Sequence, residues 1–405
     1  MNKQQTSEGT FRFLITIVFL AAAMETDIYL PAFPDMMVAY NTNEVMIQRI
    51  LSFNFLGICL SSLVYGPLSD SFGRKKILNV GYLIFIIASF GCVFANTIET
   101  LIVFRFIQGF GSAACMIVGS AMIFDRFTSD KAAKVIGDLN SLVVSILAFA
   151  PMLGGWINLT FGYHYNFLFI AVLTLVTGAM SYILLPETLV EEKRKPLSMK
   201  TISNDYKIVL KSGDFWTNCM IVSFMFSGYI IFVSNMSILF INYLNVNENT
   251  FPYYQVALLV SFVLSSVNSG RLIDRFGSER MKNIGLCLMS IATMALVLLP
   301  SSLQSSPLII TAVMTGYSFG AGFCIGIFFA KSMDACPDQT GVSASLVTAI
   351  RLVVVAILID VSSGLFDGTS TSVINMVGLC MASAVLIYLG NLYYKKKLIQ
   401  SITPY

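Results

Sequence analysis

Residues 66–78 read GPLSDSFGRKKIL, a turn-rich, charged segment wedged between two long apolar runs. A degenerate copy, GRLIDRFG, stands at 270–277. Gly66, Leu68, Asp70, Phe72 and Gly73 recur as Gly270, Leu272, Asp274, Phe276 and Gly277, each at an offset of 204 in a chain of 405 residues. An offset of half the chain implies two same-direction halves carrying the same loop in the same place, the plan of a secondary transporter.

Around these loops the chain is 56% hydrophobic and 12% charged, with a mean hydropathy of +0.77. A soluble protein carries about 25% charged residues. Twelve apolar stretches lie near 11–33, 46–66, 77–96, 99–124, 135–158, 164–186, 216–242, 253–273, 281–300, 307–331, 341–365 and 372–394. Each can cross a hydrocarbon core of about 30 Å as a helix, and helices satisfy their own backbone there. The expected fold is therefore an all-α membrane protein. Its twelve transmembrane helices form two six-helix halves related by a pseudo-twofold axis along the membrane normal. The expected boundaries are 1–186 for the first bundle, 187–215 for a cytoplasmic linker, 216–394 for the second bundle and 395–405 for a cytoplasmic tail.

The first apolar run lacks an A-x-A cleavage site and leads into a proline-containing polar segment, so it reads as a span and not a signal peptide. The eight cysteines have no paired spacing and His164 is the only histidine, so neither disulfides nor a histidine metal site is expected. GxxxxGK[ST] does not occur, and no nucleophile–base set appears. These features argue against an enzyme, against direct use of ATP and against any cofactor other than protons. The expected partners are a small-molecule substrate, protons and the lipid bilayer, with no nucleic acid, and the chain is expected to act as a monomer.

Of the 25 Lys and Arg residues, Arg49 alone falls on the side opposite the basic loops, and Arg105 and Arg351 lie inside spans. The others cluster at the amino end, in every second loop and in the tail. By the positive-inside rule both termini are cytoplasmic, and twelve crossings agree with that.

Asp27 stands near the outer end of the first span. An ionisable side chain at that depth costs at least about 2.5–3.5 kcal/mol, which makes function the default hypothesis. Pro31, four residues on, cannot donate to the Asp27 carbonyl and leaves an acceptor beside the carboxyl. Glu25 lies roughly 200° around a regular helix from Asp27, off its face. It is either a second titrating site or a structural acid in a helix contact. Arg105 sits about 8 Å into the fourth span, level with Asp27, and is the expected partner that holds Asp27 ionised in one state. Gln108 and Ser112 share its helix face. Asp70 is expected to accept from a helix start in the other half near Gly341 to Ser343, and Arg74 to pair with Asp125, both shutting the cytoplasmic side. Arg351 falls near midplane, and Asp360 is on the opposite side of the same helix. With 32 Phe, 17 Tyr and 20 Met available, Tyr29, Phe226, Tyr229 and Phe232 are candidate cavity liners.

GPLSDSFGRKK resembles the loop signature of the major facilitator superfamily. TDIYLPAFPDM at 26–36, FANTIETLIVFRFIQGFGSA at 94–113, APMLGGW at 150–156 and LPETL at 185–189 narrow the resemblance to drug:proton antiporters of the bicyclomycin/chloramphenicol-resistance (Bcr/CflA) type. GRLIDRFG, YYQVAL at 253–258 and GVSASL at 341–346 extend it more weakly into the second half. The resemblance implies proton-coupled export of small amphipathic drugs by alternating access, in a bacterial inner membrane. It places Asp27 and Arg105 in proton coupling, with Glu25 a departure from the pattern. It places Gly66, Asp70, Gly73, Arg74 and Asp125 in gating, together with Pro151, Gly154 and Gly155 of the fifth-span signature. That signature usually carries Gly where this chain has Ala150. Tyr29, Gln108, Ser112, Phe226, Tyr229, Phe232 and Arg351 remain the candidates for substrate contact. A metabolite or siderophore exporter, or a nutrient symporter, is the alternative on the same fold. A transport-dead sensor would need a signalling domain for which 405 residues leave no room.

Overall fold

The computed structural model describes residues 7–127, 149–194 and 196–402, together with 131, 135, 138–139, 142–143 and 145–147. Its membrane helices are α1 (Glu8–Asp27), α2 (Glu44–Phe72), α3 (Arg74–Val93), α4 (Ile98–Arg126), α5 (Ala150–Phe161), α6 (His164–Leu184), α7 (Gly213–Ser237), α8 (Phe251–Phe276), α9 (Ser278–Leu298), α10 (Pro307–Asp334), α11 (Thr340–Gly364) and α12 (Ser370–Ile402). Among the described residues eleven helices are long and apolar enough to span a membrane; a shorter apolar helix, Ser145–Phe161, stands at the fifth expected span, 135–158, part of which lies outside the described residues.

Helix starts follow local chemistry. Ser7, Asn43, Thr97 and Ser212 each accept a backbone N–H of the first turn of α1, α2, α4 and α7 with their side-chain oxygens, satisfying donors that have no intrahelical partner. The repeated loop is a helix junction in both halves. Gly73 at φ 97° separates α2 from α3, and Gly277 at φ 84° separates α8 from α9. Only glycine takes such a φ without strain.

The repeat extends to the packing. α2 and α3 pack on α4 as α8 and α9 pack on α10, α1 packs on α6 as α7 on α12, and α3 on α6 as α9 on α12. The two halves meet through α2 against α11 and α5 against α8. Buried residues are predominantly apolar and form one large cluster through both halves, with a smaller one of Met281, Phe323 and Ile327.

Three features differ from the expected spans. The first was expected to run unbroken over 11–33, yet α1 stops at Asp27 and the chain continues as a 3-10 turn, Leu30–Ala32, and a short helix, Phe33–Ala39. Pro31 and Pro34 remove two donors there. The linker carries a helix of its own, Met199–Leu210, and α12 runs on through most of the expected tail to Ile402.

Alternating crossings bring both chain termini and the linker to one end, called here the near end. Among the described residues three side-chain bonds join the two halves, and all three lie at the far end. Gln48 Nε2 donates to Asn235 Oδ1 at 2.6 Å, Arg49 pairs with Asp360 at 2.9 Å, and the Tyr243 hydroxyl donates to Glu44 at 2.8 Å. Glu248, in the far-end loop between α7 and α8, has its carboxyl held above the usual range by burial and by the Asp35 carboxylate. α8 buries Phe251, Pro252, Gln255 and Leu258 near its far end, while Gly270 to Phe276 stay exposed or half-buried at its near end. The halves are thus joined at the far end and parted toward the near end.

A carrier whose far end must open to release cargo cannot work with that end stapled. In a cysteine-free background, Glu44→Cys with Tyr243→Cys is expected to be bridged by a reducible bifunctional thiol reagent that spans the gap now filled by the tyrosine ring, and transport should be lost until reductant is added. Undiminished transport at complete cross-linking would show that these helix ends never separate.

Candidate functional site

Of three residues in α1 and its following turn, Glu25 and Tyr29, four apart, both reach Arg105, whereas Asp27, two residues from each and about 200° around a helix, does not. Glu25 is fully buried against α4 and α2. Its Oε2 pairs with Arg105 Nη1 at 2.6 Å, Asn54 Nδ2 donates to both of its oxygens at 3.2 Å, and the Ser112 hydroxyl donates at 3.1 Å. Arg105, also fully buried, donates through Nη2 to the Tyr29 hydroxyl at 2.7 Å and through Nη1 to the Glu25 carbonyl at 3.2 Å and to Gln108 Oε1. Its guanidinium carbon stands 4.3 Å from the Tyr29 ring centroid. Gln108 passes the chain on to the Ser89 hydroxyl at 2.8 Å, which donates to the Phe85 carbonyl at 2.7 Å. A buried ion pair survives only when its remaining lone pairs and protons are occupied. Four polar neighbours occupy both Glu25 oxygens and both Nη groups of Arg105, leaving the Arg105 Nε without a partner.

Asp27 lies at the last turn of α1, where the helix breaks. Its carboxyl is half-buried and forms neither an ion pair nor a hydrogen bond among the described residues. Across from it, Tyr229 of α7 is within electrostatic reach, and its buried hydroxyl has no hydrogen-bond partner. Asp27 therefore stands where the halves face each other. The expected Asp27–Arg105 pair is corrected: Glu25 holds the arginine, because the face of α1 turned to α4 carries residue 25.

Four of the expected cavity liners are packed away. Tyr29, Gln108 and Ser112 are at most 2% exposed and occupied by the Glu25–Arg105 network. Phe232 is 1% exposed and packs edge-on against Phe240 at 6.4 Å. Phe226, Tyr229 and Arg351 remain half-buried on the facing surface.

At the near end Arg74 pairs with Asp125 at 2.9 Å, as expected, and with Asp70 at 2.5 Å. Asp70 does not reach Gly341 to Ser343: the halves are parted there, so Asp70 turns back onto the arginine one helical turn away. Glu187, quoted above only as part of LPETL, accepts from the Arg74 and Lys75 amides at 3.0 and 3.2 Å and so caps α3. A Cβ on Gly73 would lie 2.6 Å from this carboxylate. Gly66 has open space around it. Pro151 opens α5, a Cβ on Gly154 would collide with the Ile28 carbonyl oxygen, and one on Gly155 would lie 2.9 Å from Pro252 of α8.

A family model described as Major Facilitator Superfamily matches residues 15–359. The chain belongs to the Major Facilitator Superfamily. It is a membrane transporter acting on small molecules, not an enzyme. Relatives include a bicyclomycin resistance protein homolog of Haemophilus influenzae, 27% identical over 96% of this chain and 97% of that protein. A chloramphenicol resistance protein of Pseudomonas aeruginosa is 26% identical over 71% of this chain and 68% of its own length. Among solved structures, a D-xylose-proton symporter superposes with a TM-score of 0.77 at 13% identity, covering 93% of this chain and 96% of that one. That likeness concerns the superfamily fold. Among the described residues no group of acids, cysteines and histidines could hold a metal ion.

Sequence reasoning passed over Asn54, Gln48 and Asn235, each fully buried. Amides inside apolar spans are themselves the signal, since a polar side chain there must find a partner across helices.

The two acids should separate on stability. Glu25→Ala strands the buried Arg105 charge and is expected to cost about 3–5 kcal/mol. Asp27→Asn breaks no bond and should stay within about 0.5 kcal/mol of wild type. Thermal unfolding of the purified variants in detergent measures both, and equal losses would contradict this division.

Proposed function

We propose that this superfamily member is a proton-coupled antiporter that exports small amphipathic compounds by alternating access across a bacterial inner membrane. Under this reading both termini and the 187–215 linker are cytoplasmic, so the near end is the inner side. The distribution of Lys and Arg supports that orientation. The halves 1–186 and 216–394 rock about their shared surface, and the chain works as a monomer. Relatives named for resistance to bicyclomycin and chloramphenicol support the substrate class.

The observation that carries the proposal is Asp27, an unpaired carboxyl between the two halves beside an ion pair that needs nothing more from it. With the outer side open, Asp27 takes up a proton. With the inner side open, a substrate and the departing proton compete for the site, so entry of one releases the other. Glu25 and Arg105 position α1 against α4 and set the local field. Tyr29, Gln108 and Ser112 complete that support, while Phe226, Tyr229 and Arg351 form the substrate surface. Asp70, Gly73, Arg74 and Asp125 act as the inner latch, with Asp70 leaving Arg74 for the other half when the inner side closes. Pro151, Gly154 and Gly155 let α5 slide against the α1 turn and α8. One proton driven by about 100 mV and one pH unit supplies about 2.3 plus 1.4 kcal/mol, enough for roughly a 500-fold gradient of a neutral compound.

Asp27→Asn keeps size and hydrogen bonding but fixes neutrality. In proteoliposomes loaded with chloramphenicol, the variant should retain downhill exchange and lose uphill movement driven by a pH gradient, as an uncoupler abolishes it in wild type. Uphill transport by Asp27→Asn at the wild-type rate would sink the assignment and transfer the coupling role to Glu25.

A further inference from the structure

Arg351 lies 11 residues into α11, about 16 Å along the helix and so near the middle of the span. Its guanidinium carbon is 4.7 Å from the Phe226 ring centroid and 5.7 Å from that of Phe329. Cation–π contacts contribute about 0.5–2 kcal/mol each. The effective cost of taking an ion out of water is several kcal/mol. Two rings therefore leave much of the charge uncompensated. No carboxylate pairs with Arg351 among the described residues. Asp360, the acid of its own helix, is occupied by Arg49, and the titratable group acting on Arg351 is the Cys219 thiol. The Arg351 Nε is buried without a hydrogen-bond partner. Arg105, whose Nε likewise has no partner, is neutralised by the Glu25 carboxylate, and Arg74 by Asp70 and Asp125; Arg351 differs from both in having no carboxylate among the described residues.

We propose that Arg351, between Phe226 and Phe329, is the docking point for an anionic group, a carboxylate in particular, on the transported compound. This rests on the reading of the space between the halves as the transport cavity. Phe226 and Tyr229 share one face of α7 by i, i+3 spacing, both are half-buried, and Tyr229 is the residue of that face within reach of Asp27. Arg351 and Asp27 thus address one space from opposite halves, offset along it by about one helical turn. The aromatic walls suit a planar ring and the guanidinium fork suits a carboxylate held in its plane. The substrate class that follows is aromatic or amphipathic carboxylates and zwitterions. A lipid phosphate cannot serve as the anion at mid-span depth, since headgroups lie at the hydrocarbon boundary.

The test compares salicylate with its neutral amide, salicylamide, by equilibrium dialysis at pH 7 against the full-length protein in phosphatidylcholine nanodiscs. Wild type should bind salicylate at least tenfold more tightly than salicylamide. Arg351→Met should remove that preference, bringing the two probes to equal affinity without lowering the melting temperature, and Arg351→Lys should keep part of it. Equal affinity of wild type for the two probes, no measurable salicylate binding, or a preference that survives in Arg351→Met would each overturn the assignment. Chloramphenicol carries no anionic group, so its proton-driven export tests the transport reading separately.

Discussion

The ion pair between Glu25 and Arg105 is the constraint around which the first half is arranged. Two full charges are removed from water at a cost their mutual attraction meets only with help. That help comes from Asn54 on α2, Tyr29 beyond the end of α1, and Gln108 and Ser112 on α4. Three helices and the turn after α1 are thereby fixed to a single geometry. One consequence concerns the neighbouring acid. Because Glu25 already neutralises the arginine and both its Nη groups are occupied, the Asp27 carboxyl is left unpaired where the chain breaks at Ile28–Ala32. A buried, satisfied charge and an accessible, unsatisfied one sit two residues apart, and the helical repeat alone keeps them from meeting.

The contrast between the two ends of the molecule follows from where cross-half polar contacts fall. At the far end amide, ionic and hydroxyl contacts bridge the halves. At the near end the polar groups of α2, α3 and α4 close on themselves around Arg74 and Glu187. The second half builds the same corner with the charges reversed: Glu279, in the first turn of α9, accepts from Lys282 at 2.5 Å and from Lys331 of α10. The sequence repeat is thus a repeat of backbone, Gly73 and Gly277 at positive φ, more than of ion pairs.

Much of this was legible in the chain. The 204-residue offset, most of the spans and the Arg74–Asp125 pair follow from glycine positions, hydrophobic runs and the placing of both residues at the same end of their spans. The separation of Glu25 from the face of Asp27 follows from 3.6-residue periodicity. Which acid would take Arg105 was not legible, because depth along a span is readable and rotation about the helix axis is not. Neither was the inward return of Asp70, which depends on whether the halves are together or apart. Tyr29 and Phe232 were expected at a cavity surface on residue type alone, and aromatic composition cannot distinguish a lining ring from a packed one.

α12 has 33 residues and is about 50 Å long, roughly 20 Å more than a hydrocarbon core requires. The surplus carries Lys395, Lys396 and Lys397, and Lys395 pairs with Asp214 at the start of α7 at 2.7 Å. If the hydrocarbon core covers the apolar first part of this helix, its basic turn falls at the level of the lipid phosphates. Each cation there is worth about 1 kcal/mol against an anionic leaflet. The seating depth of the second half, and with it the ease of rocking, becomes a property shared between protein and bilayer. A cell that changes its proportion of acidic lipid would adjust this carrier without touching its binding surface.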